Sequence, residues 1–104
     1  ARDRLARGRE AIESRHKLRI DYEDVQGRVT QRVIRPLGCF YWGKIWTLGA
    51  WCEHRGDFRN FRIDRIRAVE TLDQRFQDEP GRTLADLFRR TEAEAREYER
   101  SLRS

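Results

Sequence analysis

The chain has 104 residues, 38% hydrophobic and 39% charged, with 23 basic against 18 acidic side chains and a net charge of +5. That length supplies one domain and not two, and the thin apolar content allows one modest core. No stretch approaches the roughly 18–20 apolar residues of a membrane-spanning helix, no charged-then-apolar signal peptide opens the chain, and two cysteines do not make a disulfide framework.

A basic domain attracts anions, and nucleic acid is the commonest partner, although here the acids dilute the field. All but two of the bases are arginine. Arginine forks grip phosphates and carboxylates with two bonds and stack on flat rings; a GC-rich genome would also produce that bias. With no methionine, the sequence reads as a piece of a longer protein.

Residues 1–16 predict a leading or linker helix, with Leu5, Ala11, Ile12 and His16 on one side and charges elsewhere; Gly8 weakens it. From Leu18 the period changes to two. Leu18, Ile20 and Tyr22 alternate with Arg19, Asp21 and Glu23, a half-buried strand. Asp24-Val25-Gln26-Gly27 is a turn. Arg28 to Arg35 returns as a second strand, and Pro36, which cannot donate a ladder hydrogen bond, ends it or lies at an edge.

The next hairpin runs Cys39–Trp42, a Gly43-Lys44 turn of type II′, then Ile45–Cys52. This register sets Cys39 opposite Leu48 and leaves Cys52 about 13 Å away, too far for a bridge. One hairpin face carries Cys39, Tyr41, Trp46, Leu48, Ala50 and Cys52. The other carries Phe40, Trp42, Ile45, Thr47, Gly49 and Trp51. Both are apolar, so one fills a core and the other needs cover from a helix, a partner or a ligand. His54-Arg55-Gly56-Asp57 is a loop, Phe58 to Asp64 a strand and Ile66 to Leu72 a last short strand. Five short strands with tight turns favour a small barrel over residues 17–72. Residues 73–104 are a connector and an amphipathic helix. Thr83 and Asp86 form a capping box, and Leu84, Leu87, Phe88, Thr91, Ala95, Tyr98 and Leu102 form a stripe.

The window Tyr22–Ile66 resembles the WYL domain of bacterial transcription regulators. The carrying residues are Asp21-Tyr22, Gly27-Arg28-Val29, Arg35-Pro36-Leu37-Gly38, Tyr41-Trp42-Gly43, Trp46-Thr47-Leu48, Ala50-Trp51-Cys52, Arg59 and Phe61-Arg62-Ile63-Asp64-Arg65-Ile66. The tail Phe76–Arg90 looks like the end of short family members. The namesake triplet Trp-Tyr-Leu is here Trp46-Thr47-Leu48; alternation keeps Trp46 and Leu48 together and points position 47 the other way. The resemblance implies a small Sm-like, SH3-type five-stranded β-barrel with a leading helix. It also implies an upstream winged helix-turn-helix domain, and a sensor role in which a nucleotide or single-stranded nucleic acid changes the grip of a dimer on operator DNA.

Arg59, Arg62 and Arg65 are the leading ligand-binding candidates, since a nucleotide needs fixed cations for phosphate and flat surfaces for bases. On a regular strand Arg59 and Arg65 share a face and Arg62 takes the other, so all three line one pocket only with a twist or bulge; an ion pair with Asp57 or Asp64 is the structural alternative. Tyr22, Tyr41, Trp42 and Trp51 are possible stacking platforms, with buried core the preferred reading for each, and Thr47 joins the ligand candidates through its place in the triplet. Arg35, His54 and Arg55 are second-tier anion contacts. Trp46, Leu48, Phe61 and Ile63 are the structural core of the motif. Cys39, Cys52 and His54 fall short of a four-ligand zinc set, and neither a catalytic constellation nor a cofactor motif is present.

The preferred expectation is therefore a cytoplasmic, ligand-sensing regulatory domain of a homodimeric transcription factor, without metal or cofactor. A constitutive single-strand-binding module and an oligomerisation module are the alternatives.

Overall fold

The computed structural model describes residues 2–103. In chain order these are helix α1 (Arg2–Ser14), strands β1 (His16–Glu23), β2 (Val29–Trp42), β3 (Ile45–Cys52) and β4 (Asp57–Arg62), a 3-10 turn (Ile63–Arg65), strand β5 (Ile66–Arg75) and helix α2 (Leu84–Arg103). The fold is mainly β with a helix at each end, as the sequence predicts. The strands form one antiparallel sheet in the order β4-β3-β2-β1-β5. Among the described residues no ladder joins β4 to β5, so the architecture is an open sheet rather than a closed barrel.

The sheet is strongly curled. β1 and β4 stand three places apart, about 14 Å in a flat sheet. Yet the rings of Tyr22 and Phe61 meet edge to face at 4.9 Å, and Tyr22 Oη accepts the Arg62 backbone N–H at 3.1 Å. The curl wraps the inner face around a core of Leu18, Ile20, Tyr22, Ile34, Leu48, Ala50, Cys52, Phe61, Ile63 and Ile66. Helix α1 packs against that core through Ala11, with Leu5 and Ile12 beside it. Gly8, a weak helix former, is buried beside Leu48; a Cβ on it would stand 3.6 Å from that side chain, an ordinary contact, so packing does not require glycine there.

Several boundaries differ from the sequence expectation. His16 opens β1 instead of ending α1, because Arg15 adopts a left-handed backbone (φ 61°) that turns the chain. The Phe76 N–H then bonds back to the Arg15 carbonyl at 2.9 Å. β5 continues past Leu72 to Arg75, which pairs with His16 beyond a bulge. Pro36 does not end β2. The strand runs straight through it and pairs it with Ala50. Pairing of β2 with β1 stops at Leu18↔Ile34, so no β1 partner requires the N–H that proline lacks. Leu37 is skipped in the β2–β3 register between Pro36 and Gly38, a one-residue bulge.

The hairpin register matches expectation, with Cys39 opposite Leu48 and Trp42 opposite Ile45. Gly43 has φ 63° and Lys44 is not left-handed, as a type II′ turn requires. Both cysteines are free. The outer apolar face of the hairpin is covered by the first turns of α2. Leu87 is buried there, and the Phe40 and Phe88 rings meet at 5.5 Å. Gly49 makes room for them. A Cβ on it would lie 2.8 Å from Phe40 and 2.9 Å from Leu87.

The start of α2 is capped as predicted. Thr83 Oγ1 accepts the Asp86 N–H at 3.2 Å, and the Asp86 carboxylate accepts the Thr83 N–H at 3.1 Å. Arg90 adds a two-pronged ion pair to Asp57 at the start of β4.

Candidate functional site

Strand register decides which arginines face inward. Ile20 is paired with Arg32, and Ala50 with Arg59. Ile20 and Ala50 are fully buried, so Arg32 and Arg59 project from the same concave face as the core. They stand where that face opens to solvent, beside Tyr22. The Arg59 guanidinium lies 5.3 Å from the Phe61 ring centre and 6.0 Å from that of Tyr22. Tyr22 is held in turn by its contact with Phe61 and its bond from Arg62. Arg32 donates to Thr30 Oγ1 at 3.2 Å and points a second nitrogen at Cys52 Sγ, 3.8 Å away. The charge of Arg55, exposed in the β3–β4 turn, is felt by Arg59.

These three cations lack a neutralising acid. Among the described residues no carboxylate makes an ion pair with Arg32, Arg55 or Arg59. The field of Arg55 reaches Asp57, but that carboxylate is held by Arg90. Burial, and then repulsion from Arg32 and Arg55, pull the Arg59 guanidinium below its usual proton affinity. An anion at this mouth would relieve both costs, and the Tyr22 and Phe61 rings already hold the Arg59 fork in position.

The other sequence candidates sit elsewhere. Arg62 faces outward and is clamped on Asp64 by bonds of 3.0 and 2.7 Å. Strand alternation stops there, because the 3-10 turn follows; Arg65 lies within that turn, where its charge helps depress Glu23 and Asp24.

Arg35, nearly buried, bonds Glu53 at 2.8 Å and Glu79 at 3.0 Å. Burial lowers its proton affinity, but the two carboxylates more than restore it. Glu53 is likewise pushed up by burial and pulled down further by Lys17 and Arg35. That cluster is a self-satisfied tie between β1, β2 and the connector. His54 is exposed in the same turn as Arg55.

Tyr41 is exposed on the hairpin and tilts against Trp46 at 5.1 Å. Thr47 is buried on the outer face and donates to the Phe40 carbonyl at 3.4 Å. It lies at a groove of about 360 Å³ between hairpin and α2, with Phe40, Trp42, Asn60, Leu87 and Phe88. Trp51 packs edge-on against Phe58 and under Arg82. Leu48, Phe61 and Ile63 are core, and Trp46 packs against it.

The structure thus gathers Arg59, Arg55 and Tyr22 at one mouth and leaves Arg62, Arg65, Arg35, Tyr41 and Thr47 outside it. Sequence reading missed Arg32. A turn of Asp24–Gly27 alone sets Arg32 opposite Arg19; in the structure Glu23 pairs with Val29, so Arg28 joins the turn and Arg32 falls opposite Ile20, in a core-facing register. Among the described residues no group of three His, Cys, Asp or Glu side chains could hold a metal ion, and no helix is long and apolar enough to cross a membrane.

The family model for the WYL domain matches residues 3–71. The chain belongs to the WYL domain family. Among solved structures it is similar to the proteasome accessory factor B/C (PafBC) of Arthrobacter aurescens, with a TM-score of 0.69 and 29% sequence identity. That match covers 76% of this chain and 14% of PafBC, so the chain spans a small part of that protein.

Proposed function

We propose that this WYL domain is the sensor of a bacterial transcription regulator, and that it binds a nucleotide or short single-stranded nucleic acid at the Arg32–Arg55–Arg59 mouth. The observation that carries the reading is the uncompensated cation cluster. Three arginines from three chain segments converge without an ion-paired acid, and burial and mutual repulsion already tax Arg59. A phosphate accepts bonds from two such forks, and Tyr22, buried beneath them, supports Arg59. The domain binds; no step of chemistry is assigned to it.

In the proposed regulator a separate helix-turn-helix domain holds the operator DNA. Proteins that read pseudo-palindromic operators are two-fold symmetric, so the proposal includes a cytoplasmic homodimer of the full-length protein. Ligand at the mouth would alter how the two DNA-binding domains are held.

The test is fluorescence polarisation with labelled oligothymidine and oligouridine, with ATP and inorganic phosphate as competitors. Saturable binding is expected, at least tenfold weaker in Arg59→Ala and in Arg32→Ala, and unchanged in Arg62→Ala. For three phosphate contacts on a single strand the log–log salt slope should be about −2. Equal affinity of wild type and Arg59→Ala for every probe would overturn the assignment.

A further inference from the structure

Helix α2 is half used. Its first turns pack on the sheet through Leu84 and Leu87, but every residue from Thr91 to Arg103 is exposed. Those 13 residues extend about 20 Å with no core beneath them. A free helix of that length is marginal in water.

The exposed part is not uniformly polar. Phe88, Thr91, Ala95, Tyr98 and Leu102 recur at alternating steps of three and four, the a and d positions of a heptad. The Phe88, Tyr98 and Leu102 side chains are 47%, 66% and 67% exposed. The seam continues the face that already packs on the hairpin, and at its near end it meets exposed Trp42 beside Phe40.

The charges flanking the seam are sorted. With Phe88 at a, the e positions are Glu92 and Glu99, and the g positions beyond the sheet are Glu94 and Ser101. All five arginines of the helix, Arg89, Arg90, Arg96, Arg100 and Arg103, fall at b, c or f, away from the seam. Glu94 is engaged by Arg90 at 3.3 Å; among the described residues neither Glu92 nor Glu99 makes an ion pair.

This pattern disfavours self-pairing. In a parallel pair, g meets the e of the next heptad, which sets Glu94 against Glu99 of the other copy. In an antiparallel pair, e meets e and g meets g, again acid against acid. Charges at e and g select partner and orientation in helical pairs, so the seam asks for basic flanks opposite.

We infer that the overhanging half of α2 docks a different amphipathic helix, one with an apolar seam flanked by Lys or Arg, rather than a second copy of itself. The inference is independent of the anion site, which lies on the concave face.

The test uses the 104-residue chain and two synthetic helical peptides with the same Leu/Ile seam, one with Lys and one with Glu at e and g. Calorimetric titration should show the Lys peptide binding at least tenfold tighter than the Glu peptide. The double variant Glu92→Lys/Glu99→Lys should reverse that preference. Tyr98→Asp should abolish binding, while the anion affinity of the Arg59 mouth stays as in wild type. Equal affinity for the two peptides, binding insensitive to Tyr98→Asp, or no binding to either would overturn the proposal. So would a concentration-dependent dimer in sedimentation equilibrium that Tyr98→Asp dissolves, since the occupant would then be a second copy.

Discussion

Arg59 and Arg62 stand three residues apart on β4 and meet opposite surroundings. On the inner face, Arg59 is part-buried, lies over two aromatic rings and shares its space with two further cations. On the outer face, Arg62 is clamped on Asp64, which raises its proton affinity. Arg90, also on the outer side, is satisfied in the same way by Asp57. The difference separates two uses of one residue type. A paired arginine ties elements together and has nothing left to offer. An arginine held in place by rings and backbone, but left without an acid, keeps its charge for an incoming anion. The outer face invests its ion pairs and its cap in seating α2; the inner face leaves the charge at its mouth open.

The sharpest way to break the comparison is to remove what supports the inner face. Phe61 is fully buried, contacts Tyr22 and underlies Arg59. Phe61→Ala should cost about 3–5 kcal/mol, the range for a large aromatic lost from a core, read by urea denaturation. Anion binding should be lost with it even at temperatures where the chain stays folded, because Tyr22 and Arg59 lose their common support. A loss below about 1 kcal/mol would mean that the curled core is packed differently.

The outer face can be perturbed alone. Gly49→Ala places a methyl group 2.8 Å from Phe40 and 2.9 Å from Leu87, so these side chains must give way and the seating of α2 on them loosens. Overpacking of this kind costs about 1–3 kcal/mol. Hydrogen exchange should rise along α2 while β1 and β4 stay protected, and affinity for oligothymidine should be unchanged. If Gly49→Ala weakens anion binding as much as Arg59→Ala, the two faces are coupled and the division drawn above fails.

How much of this was legible in the sequence follows range. The Thr83–Asp86 cap, the Gly43-Lys44 turn and the pairing of Cys39 with Leu48 are local, set by neighbours within a few residues, and they read correctly. The doubly apolar hairpin announced that its second face needed cover; that α2 supplies it depends on a return of some 40 residues, beyond any periodicity. Of the two places the sequence allows Pro36, strand end or edge, the structure takes the edge, and only where β1 stops pairing, a tertiary fact, decides between them. The grouping of Arg59 with Arg65 assumed unbroken alternation, and the 3-10 turn after Arg62 breaks it. Arg32 is not legible, because its neighbours Gln31 and Val33 give the strand no clear pattern and an Asp24–Gly27 turn sets it opposite Arg19; only with Arg28 in the turn does it face the core. The separation of paired from unpaired arginines is legible only for Arg62, whose ion pair with nearby Asp64 the sequence offers as an alternative; that Arg32 and Arg59 stay unpaired depends on side chains brought from distant strands.

The smallest expected effects concern how α2 is seated, and acid should reveal them. Thr83→Ala removes one half of the capping box and should cost about 1 kcal/mol, seen as a lower melting temperature. The other half titrates. Arg89, and then the Thr83 hydroxyl and N–H, hold the Asp86 carboxyl far below the ordinary aspartate range. Arg90, and then the Phe58 N–H, lower Asp57 in the same way. Both groups are depressed in the folded chain, so the stability they lend is complete above the ordinary aspartate pKa of about 4 and is lost as pH falls through the lower folded values. Between pH 5 and 7 the seating of α2 should therefore be independent of pH. Below about pH 4 helical circular dichroism should fall in wild type before the tryptophan environment of the sheet changes, and the fall should begin from a lower starting helicity in Thr83→Ala. The inner mouth has no ion-paired acid to lose, so phosphate affinity should follow only the protonation of the phosphate itself across that range. Loss of helix at pH 6, or simultaneous loss of helix and sheet signals, would place the control of α2 in groups other than Asp57 and Asp86.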